Sequence, residues 1–240
     1  KSIHQFLKKL CFGSLSSAKS ITKQQILTEE KMNKRFNFTI LITSLLCFVP
    51  MIVGLILWNK LPEELPTNYS LNNEVGNVAP KWINIILLPI IFATLNIVVN
   101  MRISPKTEEN VGKRLASFVV WLVPILAVVV GTFMIIKPLG LPLEAMSLVA
   151  SFMSLVFIIV GNYIPKSKPN NVVGFRLPWI MNDDDLWKKT HRFSGLVLVI
   201  CGFASFITSF FVIGKYVFLV SLGIIIFVPL IYSLIIKNNK

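Results

Sequence analysis

The sequence predicts an all-α polytopic membrane protein with six transmembrane helices and both termini in the cytoplasm. Three observations carry that prediction. The chain is 54% hydrophobic and only 15% charged over 240 residues, with a mean hydropathy of +0.71, whereas a globular domain is about a quarter charged. Its apolar residues gather into six continuous runs, each near the roughly 20 residues a helix needs to cross a bilayer. Those runs do not alternate, and lipid offers backbone groups no water, so helices rather than a β-barrel satisfy them. The charge is also unevenly shared. With the N-terminus inside, 20 of the 24 Lys and Arg fall in inner segments, and Lys60, Lys81, Lys137 and Lys215 make up the outer four. This is the positive-inside pattern. It accounts for the formal charge of +13 as a topology signal, and no nucleic-acid-binding motif accompanies it.

Residues 1–31 form a basic N-terminal segment. The run KMNKRFNFTILI from Lys31 reads as a start, a basic flank and a first span, so Met32 is expected to be the natural start and 1–31 an upstream or artificially added extension. An interfacial anchor is the alternative, since Ile3, Phe6, Leu7 and Leu10 share a helical face. The membrane domain 32–240 divides into a first helix pair with its outer loop, 32–115, and a four-helix part, 116–240, whose cytoplasmic loop is 162–192.

Span one, Phe38–Trp58, contains Pro50, and Pro89, Pro124 and Pro229 lie in spans two (Trp82–Val99), three (Ala116–Ile136) and six (Tyr216–Ile236). Kinks are the expected consequence. The outer loop between spans one and two is turn-rich, and Trp82 marks the interface. Arg102–Arg114 reads as a short solvated inner loop. Span four, Ala145–Ile164, follows the outer turn Lys137–Leu143. Spans five (Phe193–Ile213) and six are expected to join through Gly214-Lys215-Tyr216. No ionisable side chain lies inside these spans as bounded. Thr43, Ser44, Asn84, Thr94 and Asn96 are expected to hydrogen-bond between helices. Ser147 with Ser151 and Ser205 with Ser209 suggest close helix approach. Cys47 and Cys201 sit in spans and Cys11 in the basic segment. Without CxxC or Cys/His ligand spacing, neither a disulfide framework nor a metal or other cofactor is expected.

The longest polar interval runs from Gly161 to Gly195. Hydrolase and nucleotide-binding motifs are absent, so a catalytic site would have to pair His191 with Asp183, Asp184 or Asp185. Asn182 and Asp183 read instead as a helix N-cap with acids in the first turn. Asp184–Lys188 and Asp185–Lys189 are i,i+4 pairs. His191 shares a face with Trp187 on a helix expected at the inner interface, in a packing role, and no enzyme is expected. Pro165, Pro169 and Pro178 break helices and Gly174 permits a sharp turn. A loop so held, carrying Arg176 and Trp179, suits a docking surface as well as a membrane-hugging loop.

The motif Asn162-Tyr163-x-Pro165-Lys166-x-Lys168-Pro169-Asn170, then Gly174-x-Arg176-x-Pro178-Trp179, then Trp187-x-Lys189-Thr190-His191-Arg192-x-x-Gly195 resembles the SdpI family of bacterial immunity proteins. Leu61-Pro62, Leu65-Pro66-Thr67 and Lys81 resemble the uncharacterised N-terminal domain that accompanies it. The resemblance implies a six-span plasma-membrane protein that protects its producer from a secreted, membrane-acting toxin peptide. It also implies recruitment of a cytosolic repressor to the membrane, with Asn162, Pro165, Lys166, Asn170, Gly174, Arg176, Pro178, Trp179, Trp187, Lys189, Thr190, His191 and Arg192 as family-motif or partner-binding residues. Anionic lipid is a further expected partner. Two departures stand out: Asn68-Tyr69 where the family often has His-Trp, and Leu177 in place of a frequent Thr. A small permease with Asn84 and Asn96 along its path, and a sensory subunit without a toxin, are the alternatives.

Overall fold

Among the described residues, six helices are long and apolar enough to cross a bilayer, as the six apolar runs require. The computed structural model describes residues 38–103 and 105–238. The segment 1–31, with Cys11 and the start expected at Met32, lies outside the described residues. Helix α1 spans Phe38–Ile56 and α2 Ile83–Arg102. A short helix, α3 (Pro105–Val111), leads into α4 (Lys113–Ile136). Then come α5 (Ala145–Tyr163), a single turn α6 (Pro178–Met181), α7 (Asp184–Thr208) and α8 (Gly214–Asn238). Between α1 and α2 lies a two-stranded antiparallel hairpin, β1 (Glu64–Pro66) and β2 (Val78–Pro80), with Leu65 opposite Ala79.

The helices pack in two groups. In the first, α1, α2 and α4 enclose Cys47, Ala93 and Ala127, and prolines decide how closely they meet. Because Pro50 donates no backbone hydrogen bond, α1 tightens at Cys47 and Phe48, whose amides reach back three residues to Ser44 and Leu45 at 3.2 and 3.1 Å. The Pro50 ring then lies against Gly131 of α4, where a Cβ would come within 2.8 Å of it. Before Pro89, α2 opens in a wide turn over Ile83–Leu87.

Most polar groups of these spans find partners in the protein, as expected of groups shielded from water. The buried Asn100 Oδ1 and Thr132 Oγ1 have none, and Thr94 donates to the Ile90 carbonyl of its own helix rather than to a neighbouring one. Asn96 Nδ2 donates to Thr43 Oγ1 at 2.9 Å and to Ser44 Oγ at 3.0 Å, joining α2 to α1. Asn100 Nδ2 donates to both oxygens of Asn96. Asn84 Nδ2 donates to the Pro66 carbonyl at 2.9 Å, tying α2 to the hairpin. Asn96→Leu is expected to lower the unfolding free energy in detergent by about 1 kcal/mol, the usual worth of interhelical hydrogen bonds in membrane proteins. A denaturation curve that coincides with the parent's contradicts this.

The second group, α5, α7 and α8, surrounds Ile164, Leu198, Cys201 and Ile225. Its closeness comes from glycine. A Cβ on Gly195 would stand 2.6 Å from the Gly161 carbonyl oxygen and 2.5 Å from the Pro165 ring, and one on Gly202 3.0 Å from the Ser154 carbonyl oxygen. Helices α5 and α7 therefore cross almost backbone to backbone. Ser205 donates to Ser221 at 2.9 Å and links α7 to α8, so this serine does mark an approach. Ser151 bonds within its own helix, and Ser209, just past the end of α7, donates to the Phe206 carbonyl.

Several expected boundaries move. Hydropathy places span five at Phe193–Ile213, entered by a helix at the inner interface; one helix does run unbroken through both, from Asp184, but it ends at Thr208. Residues 209–213 make the turn to α8, which begins at Gly214. The hydropathy run follows apolar residues, but the helix starts at its cap, where Asp183 accepts from the amides of Asp185 and Leu186 at 3.0 Å. His191 thus lies on the helix that carries span five, two residues before its apolar run begins at Phe193. The stretch Arg102–Arg114 holds α3 rather than loop alone. Pro178 opens the turn α6 rather than breaking a helix, because at the first helical position its missing N–H costs nothing.

Candidate functional site

At one end of the bundle, residues 164–183 fold back over α5, α7 and α8, and each fastening uses a family-motif residue. The segment opens where Pro165 meets Gly195. Asn170 makes a turn of its own: its Oδ1 accepts from the amides of Val172 and Val173 at 2.9 and 2.8 Å, and its Nδ2 donates to the Lys168 carbonyl. The Lys168 amide donates to the Asn110 carbonyl at 2.8 Å, binding the loop to α3. Trp179 Nε1 donates to Ser233 Oγ on α8 at 3.3 Å, and Lys237 lies over its ring.

The centre of the fastening is the pair Trp187 and His191, one turn apart on α7 and fully buried. Their rings stack at 3.8 Å between centroids. Trp187 Nε1 donates to the Ser167 carbonyl at 2.9 Å. His191 Nδ1 lies 2.9 Å from the Trp187 carbonyl, and Nε2 accepts from the Phe175 amide at 3.1 Å. A ring that accepts at Nε2 carries its proton on Nδ1, so both nitrogens are satisfied by a neutral imidazole. The loop can approach this closely because residue 174 is glycine: its φ is +117° and a Cβ there would stand 2.2 Å from Nε2. Beneath the loop, Ile180, Leu186 and Trp187 form a small core flanked by Phe175, Leu177 and Met181.

The residues singled out in the motif therefore divide by role. Pro165, Asn170, Gly174, Trp179, Trp187 and His191 build the loop's seat. Thr190 is also fully buried, on the same helix. Asn162, Lys166, Arg176, Pro178, Lys189 and Arg192 are exposed. Lys166 lies over the Tyr163 ring, Lys189 pairs with Asp185 at 2.9 Å, and Arg176 Nη1 donates to the Asn171 carbonyl. Sequence reasoning missed the partners that act through backbone atoms, namely Ser167, Phe175 and Asn110. Ser233 was missed as well, being 54 residues from Trp179. Two of the acids near His191 are occupied elsewhere: Asp183 caps α7 and Asp185 holds Lys189, while the expected pair of Asp184 with Lys188 is not formed among the described residues. Among the described residues, no cluster of His, Cys, Asp and Glu could hold a metal ion.

The opposite end carries the hairpin. Leu65 is fully buried beneath it. Lys81, 7% exposed, donates to Glu63 Oε1 at 3.1 Å and to the Trp58 carbonyl at 3.3 Å, with the Trp58 ring 4.7 Å away. The Tyr69 ring meets Phe133 of α4 edge-on, and burial pushes the Tyr69 phenol above its ordinary value. Asn73, at φ +65°, accepts from the Ala145 amide at the start of α5 at 2.9 Å. Asn72 accepts from Lys215 at 2.8 Å. The hairpin thereby reaches α4, α5 and α8.

This architecture defines a six-span helical membrane protein with a hairpin at one end and a bound loop at the other. The SdpI/YfhL protein family profile matches residues 166–233, which cover the loop, α7 and most of α8. A domain of unknown function, DUF1648, matches residues 45–93, which cover the hairpin and most of α1 and the first half of α2. The immunity protein SdpI of Bacillus subtilis (strain 168) is 25% identical over 194 residues, which is 81% of this chain and 92% of that protein. No solved structure matches. Both likenesses support an SdpI-family protein.

Proposed function

We propose that this chain is an immunity protein of a bacterial plasma membrane, protecting its own cell from a secreted, membrane-acting toxin peptide. The observation that carries this reading is the likeness to an immunity protein over 92% of that protein's length. It takes in both ends of the molecule, not one shared helix pair. In this reading the loop end faces the cytoplasm, since 20 of the 24 Lys and Arg then lie inside, and both termini lie there too. The hairpin end meets the toxin. The loop end holds a cytosolic repressor at the membrane, with anionic headgroups around it. The role is binding rather than catalysis, as both ring nitrogens of His191 are engaged in holding the loop. The amides of Asn84 and Asn96 donate to protein oxygens, which favours this reading over a permease path. Expression of the full chain in a bacterium killed by the toxin is expected to restore growth at doses that stop the parent strain. Unchanged killing contradicts the immunity reading.

A further inference from the structure

The surface of the loop carries an open cleft lined by Asn171, Gly174, Phe175, Arg176, Leu177 and Met181. Three features give it a chemical preference. Its lining mixes polar and apolar surface, the apolar part coming from Phe175, Leu177 and Met181, which pack against the core beneath and stay half-exposed. Its wall is an exposed guanidinium held in place, with one Arg176 nitrogen donating to the Asn171 carbonyl. An arginine carries five N–H donors in a planar fork, so most remain for a carboxylate. The surrounding charge is net positive: residues 162–192 carry six Lys or Arg against Asp183, Asp184 and Asp185.

The cleft is also pre-shaped. Its backbone is fastened from below at Phe175 by His191, and the loop at either side of it by the Asn170 turn and by Trp179. A surface already ordered loses little freedom when it binds, which leaves more of the contact energy as affinity.

We propose that this cleft is a docking site for an extended protein segment that presents a carboxylate beside apolar side chains, with Arg176 as its anchor. The occupant is a cytosolic protein and not the chain's own residues 1–37, which carry eight Lys or Arg against two Glu and would be repelled. The inference rests on the reading that the loop end faces the cytoplasm and recruits a protein there, and it assigns that recruitment to one cleft and one chemistry.

The test uses the full chain in nanodiscs of zwitterionic lipid, with a fluorescein-labelled twelve-residue peptide alternating glutamate and leucine as the probe. A matched peptide with lysine in place of glutamate is the control. Saturable binding of the acidic peptide alone is expected. Arg176→Gln should weaken it about tenfold, the worth of one charge-assisted contact, while Lys188→Gln, which removes an exposed charge outside the cleft, leaves it within about twofold. Equal weakening by the two variants overturns the proposal, because diffuse basicity then explains the binding. Displacement of the peptide by soluble glycerophosphate at constant ionic strength also overturns it, since the cleft then belongs to a lipid headgroup. Peptide binding needs no toxin, so a failed protection assay with intact, Arg176-dependent binding contradicts the immunity reading and leaves the docking site standing.

Discussion

Replacing Gly174 with alanine is expected to release the loop from α7. The position is held at φ +117°, and its absent Cβ would stand 2.2 Å from His191 Nε2. An alanine must leave this backbone region, which costs about 1–3 kcal/mol, or push the imidazole away. Displacing the ring breaks the bond to the Phe175 amide and disturbs the stack on Trp187. A part-buried amide left without its acceptor adds about 1 kcal/mol, the low end of the cost of a lost partner. Together these set a local cost of about 3 kcal/mol, so amide exchange at Phe175 should speed up by about two orders of magnitude. Unaltered exchange at Phe175 would refute the latch. His191→Ala provides the companion measurement. It removes the atom that the new methyl strikes, so adding Gly174→Ala to it should cost less than Gly174→Ala alone, as expected of groups in direct contact.

The second large effect is expected at Gly195. A leucine there has nowhere to go, because the Gly161 carbonyl oxygen and the Pro165 ring lie 2.6 and 2.5 Å from the position of its Cβ. The first of these is backbone, so the helices themselves must separate. Overpacking of this kind costs about 1–3 kcal/mol, and separating α5 from α7 places the cost at the upper end, about 3 kcal/mol. Gly223 is the control within the same helix group: a Cβ there meets nothing within 4 Å. Gly223→Leu should unfold within about 0.5 kcal/mol of the parent in detergent, like an ordinary surface change. Equal losses from the two leucines would show that helix propensity or lipid contact, and not close crossing, governs stability.

Much of the fold was legible because burying apolar side chains in lipid leaves a long, unmistakable run. Even so, run length misplaced α7, since its first nine residues include Asp184, Asp185, Lys188, Lys189 and Arg192 and depress the local hydropathy. Its true start is legible by another signal, the Asp183 cap, which opens a helix that runs on into the apolar run. The hairpin was not legible. With three-residue strands, each ending in a proline, its pattern is too short to distinguish from a turn-rich loop. The residues of the loop were identified through family likeness, but their roles were not. Nothing in the sequence separates a glycine that turns the chain from one that admits an imidazole.

The number of spans, the uneven charge and the identity of the polar interval were set by composition and order along the chain, because partition into lipid and charge placement act residue by residue. Tertiary structure alone decided what the polar interval is. His191 and Phe175 are 16 residues apart, Trp187 and Ser167 are 20, and Trp179 and Ser233 are 54. Two of those three contacts end on backbone atoms, which every residue possesses and no sequence position advertises. Only the crossing of α5 over α7 at Gly161 and Gly195 brings those atoms together and makes a bound, pre-shaped surface out of what reads along the chain as a loop.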